Sequence, residues 1–259
     1  MLALVHTPSP KLAAGQRTHV ALEPIDFGLA QTQHIAYVRA LQDCGLKLRV
    51  LPASRDEPDD AFLEDTAVIV DEVAILCSMG TEVRRREPLA IEPILREYRE
   101  IERIELPATI EGGDVLWVGR KLLVGLSSRT SAAGISALAS LVSRFGYQVT
   151  AVPVHGCLHL KTACTALPDG RLLVNPAWID VTALAGHDLI EIPADEPWAA
   201  NTLPIGQRII LRAAHPQAAE LIHRLGFEPL PVELSEFAKA EGGVTCLSLL
   251  INDADSDPQ

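Results

Sequence analysis

The residues best equipped for chemistry are one cysteine, one histidine and a set of carboxylates. Cys246 lies in Gly242-Gly243-Val244-Thr245-Cys246-Leu247-Ser248-Leu249-Leu250, where small or polar residues alternate with apolar ones as in a half-buried strand beside a glycine turn. A thiol is a weak nucleophile until its thiolate is stabilised by a cation or a helix end. A guanidinium compound would bring that cation with it and set an sp² carbon beside the sulfur. Glu64, Asp65 and Glu111 are acceptor-only groups that can take paired N–H bonds from a planar guanidinium fork. His159 could then protonate a departing amine and activate the water that clears a covalent adduct. Taken singly, each has an ordinary reading. A cysteine in an apolar strand is commonly buried filler, a carboxylate before an apolar run is commonly a solvated loop residue, and His159 between Leu158 and Leu160 fits a core histidine. Their common place in a repeat argues otherwise.

The repeat is one of elements rather than identities. Gln33 to Pro52 reads as an amphipathic helix, a Gly45 stop and a strand closed by proline. The same order recurs over Ile91 to Pro107, Ala137 to Pro153 and Ala218 to Pro231; in one further unit the helix is reduced and Asp188 to Pro193 supplies the strand alone. Hairpin-like pairs of apolar runs precede these units, turning at Asp71-Glu72, Gly119-Arg120, Asp169-Gly170 and Gly206-Gln207. The fifth pair would be the Cys246 segment with the N-terminal strand Leu2 to His6. The expectation is an α/β fold of five ββαβ modules with pseudo-fivefold symmetry, a single domain over 1–252 followed by a flexible acidic tail at 253–259. Such a ring leaves no long sheet edge exposed and converges its loops on the axis. Asp59, Glu64 and Asp65 then precede the first hairpin, Glu111 and Asp114 the second, His159 the third, and Cys246 belongs to the fifth. An open α/β sheet is also permitted by the alternation. A dinucleotide-binding fold is disfavoured, since no G-x-G-x-x-G follows the first strand.

Composition narrows the partners. The chain has 259 residues, 48% of them hydrophobic, and a net charge of −12, which argues against nucleic acid; its densest basic run, Arg84-Arg85-Arg86, is bracketed by Glu82 and Glu87. No apolar run is long enough to span a bilayer, and the first residues lack a signal-peptide pattern, so the expected location is cytoplasmic. The five cysteines, at 44, 77, 157, 164 and 246, form no CxxC pair and suggest neither a disulfide framework nor a cysteine zinc site.

Five stretches in order then carry a family resemblance: Phe62-Leu63-Glu64-Asp65-Thr66-Ala67-Val68, Ile110-Glu111-Gly112-Gly113-Asp114-Val115, Gly125-Leu126-Ser127-Ser128-Arg129-Thr130, Leu158-His159-Leu160-Lys161-Thr162 and Gly242-Gly243-Val244-Thr245-Cys246. They resemble the motifs of the guanidine-modifying, or arginine deiminase, superfamily, and most nearly its dimethylarginine dimethylaminohydrolases. The resemblance implies a five-bladed α/β propeller, the pentein fold. It also implies hydrolysis of Nω-methylated arginine to citrulline and an amine, without metal or organic cofactor. Carried across by position, Cys246 looks like the nucleophile that forms an S-alkylthiouronium intermediate, His159 the general acid and base, and Glu111 the carboxylate that orients the site. Asp65 and Glu64 resemble guanidinium ligands, Arg84 (or Arg85) and Arg129 the pair for the substrate α-carboxylate, and Asp59 a partner of its α-amino group. Lys11 to His19 falls where the family has a mobile lid, with Leu12 and Gln16 as candidate substrate contacts. Asp114 reads as a structural partner of its glycine turn, and Cys157 and Cys164 as packing residues. The alternatives are an arginine deiminase, an amidinotransferase, or a non-catalytic guanidine-binding propeller. The first two are usually longer, and no added helical domain is visible between Asp65 and Glu111. Both a monomer and a homodimer fit the resemblance.

Overall fold

Apolar runs joined by short polar or glycine turns pair as hairpins, and a computed structural model describing residues 1–54 and 56–252 shows what those hairpins build. The chain opens with β1 (Leu2–His6), a helix Phe27–Asp43 and β2 (Lys47–Leu51), with β1 and β2 parallel. Module I follows as β3 (Ala67–Ile69), β4 (Val73–Leu76), a helix Glu87–Leu95 and β5 (Glu100–Arg103). Module II is β6 (Val115–Val118), β7 (Lys121–Leu126), a helix Ala132–Ser143 and β8 (Gln148–Pro153). Module III is β9 (Cys164–Ala166), β10 (Leu172–Val174), one helical turn Val181–Leu184 and β11 (Leu189–Glu191). Module IV is β12 (Leu203–Ile205), β13 (Arg208–Arg212), a helix Pro216–Arg224 and β14 (Glu228–Val232). The last strand, β15 (Ser248–Ile251), pairs antiparallel with β1 and completes module V from the two chain ends.

Each module is a sheet of three strands, the inner antiparallel to the middle one and the outer parallel to it. Parallel pairing needs a crossover, which is why a helix or helical turn separates middle and outer strands in every module. Local signals place these helices: Asp26 accepts from Leu29 N at 3.0 Å and Ser131 from Gly134 N at 3.1 Å, both as N-caps. The module I helix starts at Glu87-Pro88, ahead of the expected Ile91, because proline is preorganised for a first helical turn.

Five hydrophobic clusters bridge successive modules and close the ring. Leu4 and Leu249 of module V pack with Leu76 and Ile91 of module I. Ile75 packs with Val124 and Leu138 of module II, whose Leu116 and Leu123 pack with Cys164 and Leu172 of module III. Leu173 packs with Ile209 and Ile222 of module IV, and Ile205 and Ile210 return to Val5 and Tyr37 of module V. The expected five-module propeller is therefore built as a closed ring. The tail expected at 253–259 lies outside the described residues.

One expectation needs correcting. Cys246 is not in a strand: Val244 to Leu247 form a turn, and the ladder begins at Ser248. The Tyr37 hydroxyl donates to Val244 O at 2.8 Å and lies 2.8 Å from Ser248 Oγ, so it holds both ends of that turn. Tyr37 is fully buried, so Tyr37→Phe leaves an acceptor unsatisfied and should cost about 1–3 kcal/mol, read as a lower urea midpoint at unchanged slope. An unshifted midpoint would show that the turn holds without the hydroxyl.

Candidate active site

A short turn precedes most inner strands, and the chemistry-bearing side chains sit on these turns. Leu63–Thr66 leads into β3 with Glu64 and Asp65, Gly112–Asp114 leads into β6 just after Glu111, and Leu160–Ala163 leads into β9 just after His159. The Val244–Leu247 turn carries Cys246.

Glu111 is the centre of the set and has no solvent exposure. Its Oε2 lies 2.8 Å from His159 Nε2, and its Oε1 accepts from Gly80 N at 2.9 Å and faces Arg129 NH1 at 3.5 Å. Asp65 Oδ1 accepts from Gly113 N at 3.2 Å and lies 3.7 Å from His159 Nδ1, while Oδ2 accepts from Arg84 NH1 at 2.8 Å. Both imidazole nitrogens therefore face carboxylates. A Cβ on Gly113 would stand 2.6 Å from Asp65 Oδ1 and 2.7 Å from His159 Nδ1, so only glycine lets this turn pass beneath the ring. Asp114, also fully buried, accepts from Ser127 Oγ at 2.7 Å and from Leu160 N at 2.8 Å, fixing the turn that presents His159. Cys157 and Cys164 are buried; Cys157 Sγ contacts the His159 carbonyl at 3.2 Å.

Electrostatics give these groups distinct states. Burial disfavours the His159 cation, but the carboxylates of Asp65, Asp114 and Glu111 outweigh it and raise His159 from 6.5 to about 9. Burial likewise disfavours the Glu111 anion, and His159, Arg84 and Arg129 overcome that and hold it below the usual carboxylate range. The pair is thus imidazolium and carboxylate at neutral pH. Cys246 is partly exposed and receives the Gly243 N–H at 3.3 Å. Burial, then the charges of Glu64 and Asp65, push its thiol up to about 12. Asp65 thus acts on both groups, raising the His159 imidazole and disfavouring the Cys246 thiolate.

The arginines resolve differently. Arg84 is buried, with Nε and NH2 on Glu87 at 2.8–3.0 Å and NH1 on Asp65, whereas Arg85 is exposed and lines a 650 Å³ cavity with Gln16, Asp59 and Glu87. Arg129 is buried with long contacts, 3.5 Å to both Glu111 and Thr81. Asp65, Glu111 and His159 form a group whose donor atoms lie within 4.8 Å of one another, a geometry that would admit a metal ion. A cation there would displace guanidinium and imidazolium charges that already balance the carboxylates.

Two expected contacts are engaged within the protein itself. Glu64 is bound by Lys161 Nζ at 2.6 Å and by the Thr245 hydroxyl at 2.7 Å, and it lines a separate 210 Å³ cavity formed by inner-strand residues with Lys161 and Thr245. The Leu12 side chain is fully buried in the cluster between modules IV and V, a packing position. Gln16 N donates to both Asp59 oxygens at 3.2 Å, which ties the Lys11 to His19 loop to Asp59. Glu241, unremarked in the sequence, is the one non-glycine residue with positive φ (63°) among the described residues, and it accepts from Thr18 N, Thr18 Oγ1 and His19 N of the same loop. Lys161 and Thr245 were visible only as neighbours of His159 and Cys246.

Comparisons with known proteins bear on this arrangement. The profile of the arginine deiminase family matches residues 55–196. The N(G),N(G)-dimethylarginine dimethylaminohydrolase of Streptomyces coelicolor is 40% identical over 97% of both chains. The chain belongs to the dimethylarginine dimethylaminohydrolase family. Its Pseudomonas aeruginosa relative is 35% identical over 95% of this chain and 97% of that one. A solved dimethylarginine dimethylaminohydrolase, a histidine-to-glycine variant in adduct with S-methyl-L-thiocitrulline, superposes with a TM-score of 0.92 at 34% identity, covering 96% of this chain and 98% of that chain. A cysteine-to-serine variant of the Pseudomonas aeruginosa enzyme, complexed with citrulline, superposes with a TM-score of 0.90 over the same shares. The arginine dihydrolase ArgZ of cyanobacteria shares the fold, at 19% identity and a TM-score of 0.83 over 97% of this chain and 98% of its N-terminal domain.

Two outcomes follow from the geometry. Because His159 has a higher pKa folded than unfolded, its protonation stabilises the fold fully below about 6.5, and that contribution is lost as pH rises through about 9. The melting temperature should therefore fall more steeply between pH 7 and 10 in the parent than in His159→Gln; parallel curves would mean that His159 is neutral in the fold. Glu241→Ala removes the acceptor for Thr18 and His19, so limited trypsin cleavage at Arg17 should accelerate without loss of the circular dichroism signal.

Proposed function

We propose that this protein hydrolyses Nω-methylated L-arginine, asymmetric dimethylarginine or monomethylarginine, to L-citrulline and dimethylamine or methylamine. The observation that carries the reading is that the Cys246 turn is bonded to the turn bearing Glu64 and Asp65, through Glu64 N donating to Cys246 O at 3.2 Å, and that Asp65 in turn lies 3.7 Å from His159 Nδ1. A thiol in that field gains its thiolate when a guanidinium cation binds, because the cation offsets the charges of Glu64 and Asp65. The thiol proton then leaves to solvent and Sγ bonds to the guanidinium carbon. His159, charged by its carboxylates, gives its proton to the departing methylamine nitrogen, and the carbon–nitrogen bond breaks to leave the S-alkylthiouronium. Neutral His159 next takes a proton from water as its oxygen adds to that carbon; the carbon–sulfur bond breaks, releasing citrulline and the thiol. Glu111 holds His159 throughout, and Asp65 with Glu111 takes the guanidinium N–H groups. The citrulline and thiocitrulline bound in the similar solved structures support this product class.

At the amino-acid pole we assign the α-carboxylate to Arg129 and Arg84, of which Arg129 is the less engaged, and the α-amino group to Asp59. We infer a small-molecule substrate and no nucleic-acid or membrane partner, in either a monomer or a homodimer; the net charge of −12 supports the lack of a nucleic-acid partner. Among the described residues no helix is long and apolar enough to cross a membrane. All five cysteines are free, which supports a reducing, cytoplasmic setting.

The test offers asymmetric dimethylarginine, monomethylarginine and arginine separately and identifies the amine released. Citrulline with dimethylamine or methylamine is expected, with little from arginine; rapid ammonia from arginine would reassign the activity to a deiminase. Cys246→Ser and His159→Gly should each lose at least about a thousandfold in turnover while remaining folded, and a Cys246→Ser variant that turns over would defeat the mechanism.

A further inference from the structure

We propose that Asn201 is a positioning residue of this site: its single side-chain amide clamps the Cys246 turn to the His159 turn and sets the nucleophile for attack. The inference rests on Cys246 being the nucleophile. Module IV is the module to which the sequence assigns no site residue, yet Asn201 stands two residues before its inner strand β12, as Asp65 stands before β3 and Cys246 before β15. The fivefold repeat thus delivers Asn201 to the same end of the ring.

Its bonds are specific. Asn201 is 5% exposed; Nδ2 donates to Lys161 O at 2.9 Å and to Thr245 Oγ1 at 3.0 Å, and Oδ1 faces Thr245 N at 3.4 Å. Lys161 is two residues past His159, and Thr245 directly precedes Cys246. The amide orientation is dictated, because a carbonyl can only accept and a peptide N–H can only donate. Thr245 Oγ1 donates onward to Glu64, whose other oxygen takes Lys161 Nζ, so the circuit closes through turns of modules I, III, IV and V. Asn201 also bears on the thiol's own donor. A Cβ at Gly243 would lie 2.1 Å from Asn201 Oδ1, so the Gly243 backbone rests against this amide, and it is the Gly243 N–H that points at Cys246 Sγ. Removing the amide frees Gly243 and Thr245 together. The thiol then loses its fixed place relative to His159 without loss of any group that touches substrate.

Asn201→Ala deletes the clamp, and Asn201→Asp keeps its shape but turns an oxygen against the Lys161 carbonyl and adds charge near the thiol. The experiment measures kcat and KM on asymmetric dimethylarginine and, independently of any substrate, the pH profile of Cys246 alkylation by iodoacetamide followed by mass spectrometry. Both variants should unfold cooperatively, with kcat lowered about ten- to a hundredfold and KM changed less than about threefold, as misplacement of a reacting group produces. The alkylation midpoint of Asn201→Asp should move upward by about one pH unit. Should Asn201→Ala not fold, the near-isosteric Asn201→Asp carries the test alone. A kcat within about twofold of the parent, a loss carried by KM alone, or an unmoved alkylation profile in Asn201→Asp overturns the proposal. Parent protein that makes no citrulline would defeat the substrate reading instead, and the alkylation profile would still decide the role of Asn201.

Discussion

Glu111 has no contact with solvent, and a buried carboxylate persists as an anion only when donors and cations surround it. The rest of the site follows from satisfying that one group. Gly80 supplies a backbone N–H, His159 an imidazolium, and the guanidinium groups of Arg129 and Arg84 complete the field. The partners then need partners of their own: Asp65 faces the second imidazole nitrogen, and Glu87 takes two sides of the Arg84 fork. The glycines at 80 and 113 are consequences of the same constraint, since a side chain at either would collide with the turns that bring these groups together.

Ring closure determines where Cys246 can be. Cys246 lies on the turn before the last strand, and that strand finds its partner in β1 at the other end of the chain. The turn itself is held away from ladder geometry by Tyr37 from one side and by Glu64 and Asn201 from the other. Its position therefore depends on contacts from modules I, IV and V at once. A long-range closure of this kind couples the Cys246 thiol to the integrity of the whole fold.

The same carboxylate field acts oppositely on the thiol and the imidazole. Burial and the charges of Glu64 and Asp65 disfavour the Cys246 thiolate. His159 is held in the opposite state, as a cation, by Asp65, Asp114 and Glu111. The loop from Lys11 to His19 is held near the same turns, for Asp59 accepts from Gln16 N and Glu241, four residues from Thr245, accepts from Thr18 and His19.

The sequence by itself determined the five modules, their hairpin turns and the unit with a reduced helix, because period-two and helical patterns and turn residues are local properties. It also determined which of Asp65, Glu111, His159 and Cys246 share a place in the repeat. It could not separate Arg84 from Arg85, since burial of one and exposure of its neighbour are decided by what packs against the turn. Alternation in the Cys246 segment reads as strand, yet side-chain bonds from Tyr37, Glu64 and Asn201 override that local preference. The burial of the Leu12 side chain between modules IV and V is likewise set by the packing of distant segments, which its local sequence does not record. Glu64 turned to Lys161 and Thr245, and Asn201 joined two turns 40 and 44 residues away, because partners brought together by ring closure leave no mark in local sequence.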